Sequence, residues 1–142
     1  MKRFVVKEEE YKKNINDVKE ILSKEENILF AYLHGSFSNL DNFGDIDIAV
    51  FLNHVPDNVL DIINLEFDLG KKIEKITSFP TDVRVLNSAP PSFRYNVIKK
   101  GIKLLEKDEK KRVDFETITL KEYFDFLPFR KRYFREAMGR EV

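Results

Sequence analysis

Two aspartates separated by one residue, Asp45-Ile46-Asp47, are the first place where this sequence could do chemistry. The pattern alone is weak, because eleven Asp in 142 residues produce a D-x-D about 0.8 times by chance. Its setting gives it weight. On a strand, residues two apart share a face, so both carboxylates point the same way. The alternate positions Ile46, Ile48, Val50 and Leu52 are uniformly apolar, so this strand belongs in a core. Two like charges at the head of a core strand raise each other's pKa and call for a counter-charge. Neutralisation by Lys or Arg is one solution, but no base occurs between residues 28 and 70. A divalent cation is the other. A third acid, Asp82, starts the alternating segment Asp82-Val83-Arg84-Val85. If that strand lies beside 45–52, three carboxylates converge. Such hard oxygen donors suit Mg²⁺ or Mn²⁺, which keep some waters for a substrate phosphate. Ahead of the pair, Gly35-Ser36 follows a strand directly. Gly allows close backbone approach, and a Ser hydroxyl with loop N–H groups can hold phosphate oxygens.

Those side chains need a scaffold, and the periodicity of the chain supplies one. Tyr11, Ile15, Val18 and Leu22 recur at helical spacing and predict an N-terminal helix over about 8–24. Residues 27–34 form a short apolar run that reads as a buried strand, 35–44 as a polar loop with room for a helical turn, and 45–52 as a second strand. Pro56-Asp57-Asn58 opens a helix with Val59, Ile62, Ile63, Leu69, Ile73 and Ile76 on one broad face and Gly70 inside it. Residues 81–86 alternate as a half-buried strand, Pro90-Pro91 turns into a helix at 92–100, and 102–106 is a fourth strand candidate. A last helix is expected from about Thr119, within a tail of about 117–139, broken or kinked at Pro128. The layout is α/β (α+β), a small mixed sheet flanked by helices, in a single domain 1–142 with its core at about 27–106.

His34-Gly35-Ser36, eight further residues, Asp45-x-Asp47 and the later Asp82 together resemble the polymerase-β-like nucleotidyltransferase superfamily. The small size, with the stretches at 82–101 and 115–126, is similar to the minimal nucleotidyltransferase (MNT) antitoxins of HEPN–MNT toxin–antitoxin pairs. The resemblance implies that Gly35 and Ser36 bind the nucleotide triphosphate. It also implies that Asp45, Asp47 and Asp82 hold the metal and carry the catalysis, with Asp82 placed to take a proton from the acceptor hydroxyl. The implied activity is transfer of AMP from ATP to a tyrosine of a HEPN ribonuclease toxin, with Mg²⁺ as cofactor and Mn²⁺ as a substitute. Related sequences commonly have ten residues between Gly-Ser and the first Asp, where this one has eight; Asn39-Leu40 replaces the usual Arg-Gly and Gly44 the usual Ser. That difference keeps an alternative open, an antitoxin that neutralises its partner by binding alone. A small-molecule nucleotidyltransferase fits less well, since such enzymes usually carry an additional helical domain.

Composition sets the remaining bounds. There is no Cys, which excludes disulfides, thiolate zinc sites and cysteine nucleophiles. No apolar run approaches the roughly 18 residues of a membrane span, and MKRFVVKEEE does not read as a signal peptide, so a cytoplasmic protein is expected. The zero net charge hides a division: residues 28–98 carry nine acids against five bases, and 99–142 carry thirteen bases against nine acids. Specific nucleic-acid binding is therefore not expected. Arg94 is a candidate phosphate contact against a default role in a salt bridge. Arg84 stands two residues from Asp82 on the same strand face, equally suited to pairing with it or meeting a phosphate. His34 reads as a hydrogen-bonded histidine at a strand end, and His54 as exposed. In the tail, Leu120, Phe124, Leu127, Phe134 and Met138 fall near one stripe, with Tyr123, Phe126, Phe129 and Tyr133 beside it. That is more apolar surface than one helix face needs, and it suggests a partner protein.

Overall fold

The chain runs α1 (Glu8–Ser23), β1 (Ile28–His34), a 3-10 turn (Ser36–Asn39), β2 (Ile46–Leu52), α2 (Val59–Thr77), β3 (Thr81–Val85), α3 (Pro91–Lys100), β4 (Ile102–Glu106) and α4 (Glu109–Met138). A computed structural model describes residues 3–39 and 43–138, and the side chains of these except 39 and 126–138. The strands form one sheet in the order β3-β2-β1-β4. β1 is antiparallel to both β2 and β4, and β2 is parallel to β3, so the sheet is mixed, as expected.

The two central strands are the two most continuous apolar runs, and burial on both faces accounts for that composition. One face sets Ile46, Ile48, Val50 and Leu52 against Val18 and Leu22 of α1 and Leu69 and Ile73 of α2. The other sets Phe30, Tyr32 and Ala49 against Leu86, Val97 of α3 and Phe115 of α4. Local chemistry explains the helix starts. The Asn58 side chain accepts from Leu60 N (2.8 Å), an N-cap, and Pro91 occupies the first turn of α3, where no N–H is needed.

Two expectations are corrected. The last helix begins at Glu109, about ten residues before Thr119, and its span continues past Pro128 to Met138 without a break. Asp108 starts it, its Oδ1 accepting from Lys111 N at 3.0 Å. A polar network then holds α4 to the sheet. The Tyr32 hydroxyl donates to Glu116 Oε2 (2.9 Å), and Arg112 binds Glu116 Oε1 (2.5 Å) and Glu106 of β4. Burial and then the Glu116 bond push the Tyr32 pKa far up, which keeps its proton available to donate. The broad apolar face of α2 is also narrower than the sequence suggests. Ile62, Leu65, Leu69 and Ile73 pack on the core, whereas Val59, Ile63 and Ile76 are exposed.

In the tail, Tyr123 stacks on Tyr95 of α3 with centroids 3.9 Å apart, while Leu120 and Phe124 face solvent. Phe126, Leu127, Phe129, Tyr133, Phe134 and Met138, and the basic Arg130, Lys131, Arg132 and Arg135, have side chains outside the described residues.

Candidate active site

Because β1 runs against β2 and β3 runs with it, the C-terminal end of β1 meets the N-terminal ends of β2 and β3. The register aligns His34 with Asp47 and Asp47 with Asp82, one row across the sheet. Asp45 lies one residue ahead of β2. Ligand oxygens of Asp45, Asp47 and Asp82 all come within 4.8 Å of one another. The convergence expected from the sequence is therefore present. Asp45 and Asp47 are half-buried and Asp82 is exposed at the sheet edge.

Gly35 closes the other side of the row. Its φ of +74° is a left-handed conformation that side chains resist, and a Cβ there would lie 2.2 Å from Asp47 Oδ2. The glycine thus lets backbone and carboxylate share one place. Ser36 opens the 3-10 turn that follows. Ser38 fastens the turn, its N–H and hydroxyl both donating to the Gly35 carbonyl (3.2 and 2.6 Å), and the Tyr11 hydroxyl donates to the Ser38 carbonyl (3.1 Å). Beneath it, Phe37 and Phe43 are buried and meet edge-on at 4.5 Å, and Phe43 also meets Phe79 at 5.1 Å. Phe4 pairs with Phe43 through two backbone hydrogen bonds. Reading 35–44 as a polar loop misses this aromatic anchor. Two Phe in a stretch dominated by Gly, Ser, Asn and Asp were the available signal.

The electrostatics are those of a site lacking positive charge. The Asp47 pKa is pushed up to about 7, first by burial, then by the charge and hydrogen bond of Asp45 and the charge of Asp82. Arg84 opposes this, its Nε 3.6 Å from Asp82 Oδ2, but both partners are exposed and the pair is weak. Three converging carboxylates that their surroundings do not neutralise fit a divalent cation in charge and donor type. His34 is not hydrogen-bonded as expected: its Nε2 is buried without a partner, and its ring stands edge-on to Phe93 at 5.5 Å. Burial, outweighing the nearby aspartates, lowers its pKa and keeps it neutral. His54 is exposed.

Arg94 is not brought to this row. Its guanidinium donates to the carbonyls of Leu86 (2.9 Å) and Asn87 and lies over the Phe115 ring at 5.4 Å. Its donors tie the turn between β3 and α3 to the helix.

The family model described as polymerase beta, nucleotidyltransferase matches residues 16–110, which include Gly35, Ser36 and all three aspartates. No curated protein matches the chain significantly. Fifteen chains of solved structures do. One, from a tri-AMPylated Shewanella oneidensis HEPN toxin in complex with MNT antitoxin, is 22% identical with a TM-score of 0.71, covering 90% of this chain and 98% of its own. One from a toxin–antitoxin structure with AMP-PNP is 23% identical with a TM-score of 0.72, covering 88% and 98%. One from the toxin–antitoxin MntA–HepT is 22% identical with a TM-score of 0.69, covering 89% and 98%. At these identities the likeness is one of fold. Among the described residues, no helix is long and apolar enough to cross a membrane.

Proposed function

The chain belongs to the polymerase-β nucleotidyltransferase family, and from that premise we propose that it is an antitoxin that transfers AMP from ATP to a tyrosine of a HEPN ribonuclease partner. The observation that carries the reading is the group of three carboxylates from β2 and β3, set against Gly35 at the end of β1. Its support also includes the similar solved structures, which contain an AMPylated HEPN toxin with its MNT antitoxin and an AMP-PNP complex.

Asp45, Asp47 and Asp82 would hold Mg²⁺, with Mn²⁺ able to replace it. When bound there, the metal neutralises phosphate charge and favours in-line displacement at the α-phosphorus. The chain's own residues do the rest. Gly35 and Ser36 receive the β- and γ-phosphates at the end of β1, where the absence of a side chain at 35 lets an anion approach the backbone. Asp82, the most exposed of the three acids, takes the proton of the acceptor hydroxyl. The tyrosine oxygen forms its bond to the α-phosphorus, the bond from that phosphorus to the bridging oxygen breaks, and pyrophosphate leaves with the electron pair.

The test is the intact mass of the HEPN partner after incubation with this protein, ATP and Mg²⁺. The wild type adds AMP, and an Asp45→Asn/Asp47→Asn variant adds none. The eight-residue segment between Ser36 and Asp45 favours the second reading, neutralisation by binding alone. An unmodified partner in a persistent complex with the wild type would establish it.

A further inference from the structure

Helix α2 leaves one apolar line uncovered. Val59, Leu60, Ile63 and Phe67 are 69%, 60%, 51% and 61% exposed. Their spacing groups them on one stripe, apart from Ile62, Leu65, Leu69 and Ile73, which pack on the core. Large apolar side chains exposed singly need no explanation, but a group of four on one helix face does. The charges beside the stripe say what covers it.

Some charges of α2 are already engaged. Glu66 and Glu74 accept from the Val85 and Thr81 N–H groups of β3 (2.9 and 3.3 Å), and Lys72 is held by Glu25 at 2.9 Å. The others form a second line beside the apolar one. Asp61, Asn64, Asp68, Lys71 and Lys75 follow at spacings of three and four, and all are exposed. Among the described residues, no ion pair reaches Asp61 or Lys75. Lys71 meets Glu74 at 3.2 Å, an exposed bridge that is worth little and exchanges readily. The line is therefore acidic in its first half and basic in its second.

That division selects the occupant. A surface of one charge sign would match half of the line and be repelled by the other half. A second copy laid parallel would set like charges together. A second copy laid antiparallel does the reverse. Asp61 and Lys71 are equidistant from Glu66, and so are Asp57, exposed just ahead of the helix, and Lys75. A two-fold axis at residue 66 thus sets Asp61 and Asp57 of each copy against Lys71 and Lys75 of the other. The same axis brings Phe67 beside its symmetry mate, with Ile63 next to it.

We infer that the exposed face of α2 is the interface of a symmetric, antiparallel dimer of this chain. The apolar stripe forms its centre and the charged line fixes its direction. This surface stands apart from the three carboxylates, and the inference does not rest on the adenylyl-transfer reading.

The experiment is sedimentation equilibrium of the full-length protein without partner or nucleotide. The wild type should sediment at twice the chain mass, and Phe67→Ala should raise the dimer dissociation constant about tenfold. Lys71→Glu should weaken the dimer by a similar factor of about ten, since it sets a carboxylate against Asp61 twice. The exchange Asp61→Lys/Lys71→Glu should restore it, which loss of folding could not do. A wild type that stays monomeric up to about 0.1 mM would overturn the inference. So would a dimer unchanged by both single substitutions, or a double variant no tighter than Lys71→Glu. A monomeric wild type whose complex with the HEPN partner is lost in Phe67→Ala would assign the face to that partner instead.

Discussion

A methyl group at position 35 would occupy the place of Asp47 Oδ2, and the left-handed backbone there adds strain of its own. Gly35→Ala should therefore displace the carboxylate while leaving the core intact. The expected outcome is at least a tenfold loss of Mn²⁺ affinity by calorimetry, with far-UV circular dichroism unchanged. Asp47 makes a second prediction, because its carboxyl titrates at about 7 in the fold against 3.8 ordinarily. Between those values the folded, metal-free chain holds a proton that the unfolded chain has lost. Its contribution to stability is full below the ordinary value and is lost as pH rises through about 7. Metal needs the ionised form, so its effect runs the other way. The rise in melting temperature produced by Mn²⁺ should be small at about pH 5.5 and large at about pH 8. A rise that is equal at both would remove Asp47 from the metal site.

At the scale of elements, the site depends on a turn held from below. Phe37→Ala deletes a fully buried ring under the 3-10 turn and should cost about 3–5 kcal/mol in urea unfolding. Glu116→Ala should cost about 1–3 kcal/mol, because it leaves the Tyr32 hydroxyl without its acceptor at the α4–β1 junction. Such contacts mark the limit of what is legible in the chain. The four strands were legible because each is a short apolar or alternating run between turn residues, and their bounds agree with 27–34, 45–52, 81–86 and 102–106 within a residue. The start of α4 was not, because Glu109-Lys110-Lys111-Arg112 shows no apolar periodicity and owes its order to Asp108 and the Arg112–Glu116–Tyr32 network. The face of α2 was misread for a different reason. Apolar residues at helical spacing say that a helix forms, but only the tertiary path of the chain decides which of them meets the core.

For the whole molecule, the division of charge is more informative than its zero sum. The acidic middle supplies three carboxylates to the row at the head of β2 and β3, and two more, Glu66 and Glu74, cap the free edge of β3. That three aspartates converge, with Gly35 against Asp47, was readable because strand period and loop chemistry restrict where such residues fall. The contacts of Arg94 were not, since the sequence around it gives no sign of the Leu86 carbonyl to which its guanidinium donates. The central claim is that this arrangement moves a nucleotidyl group. Its most direct test gives the protein, Mg²⁺ and the HEPN partner ATP labelled either at the α- or at the γ-phosphate. Label from the α-position should appear in the partner, and label from the γ-position should leave as pyrophosphate. Label from the γ-position in the partner, or no label from either, would contradict the account.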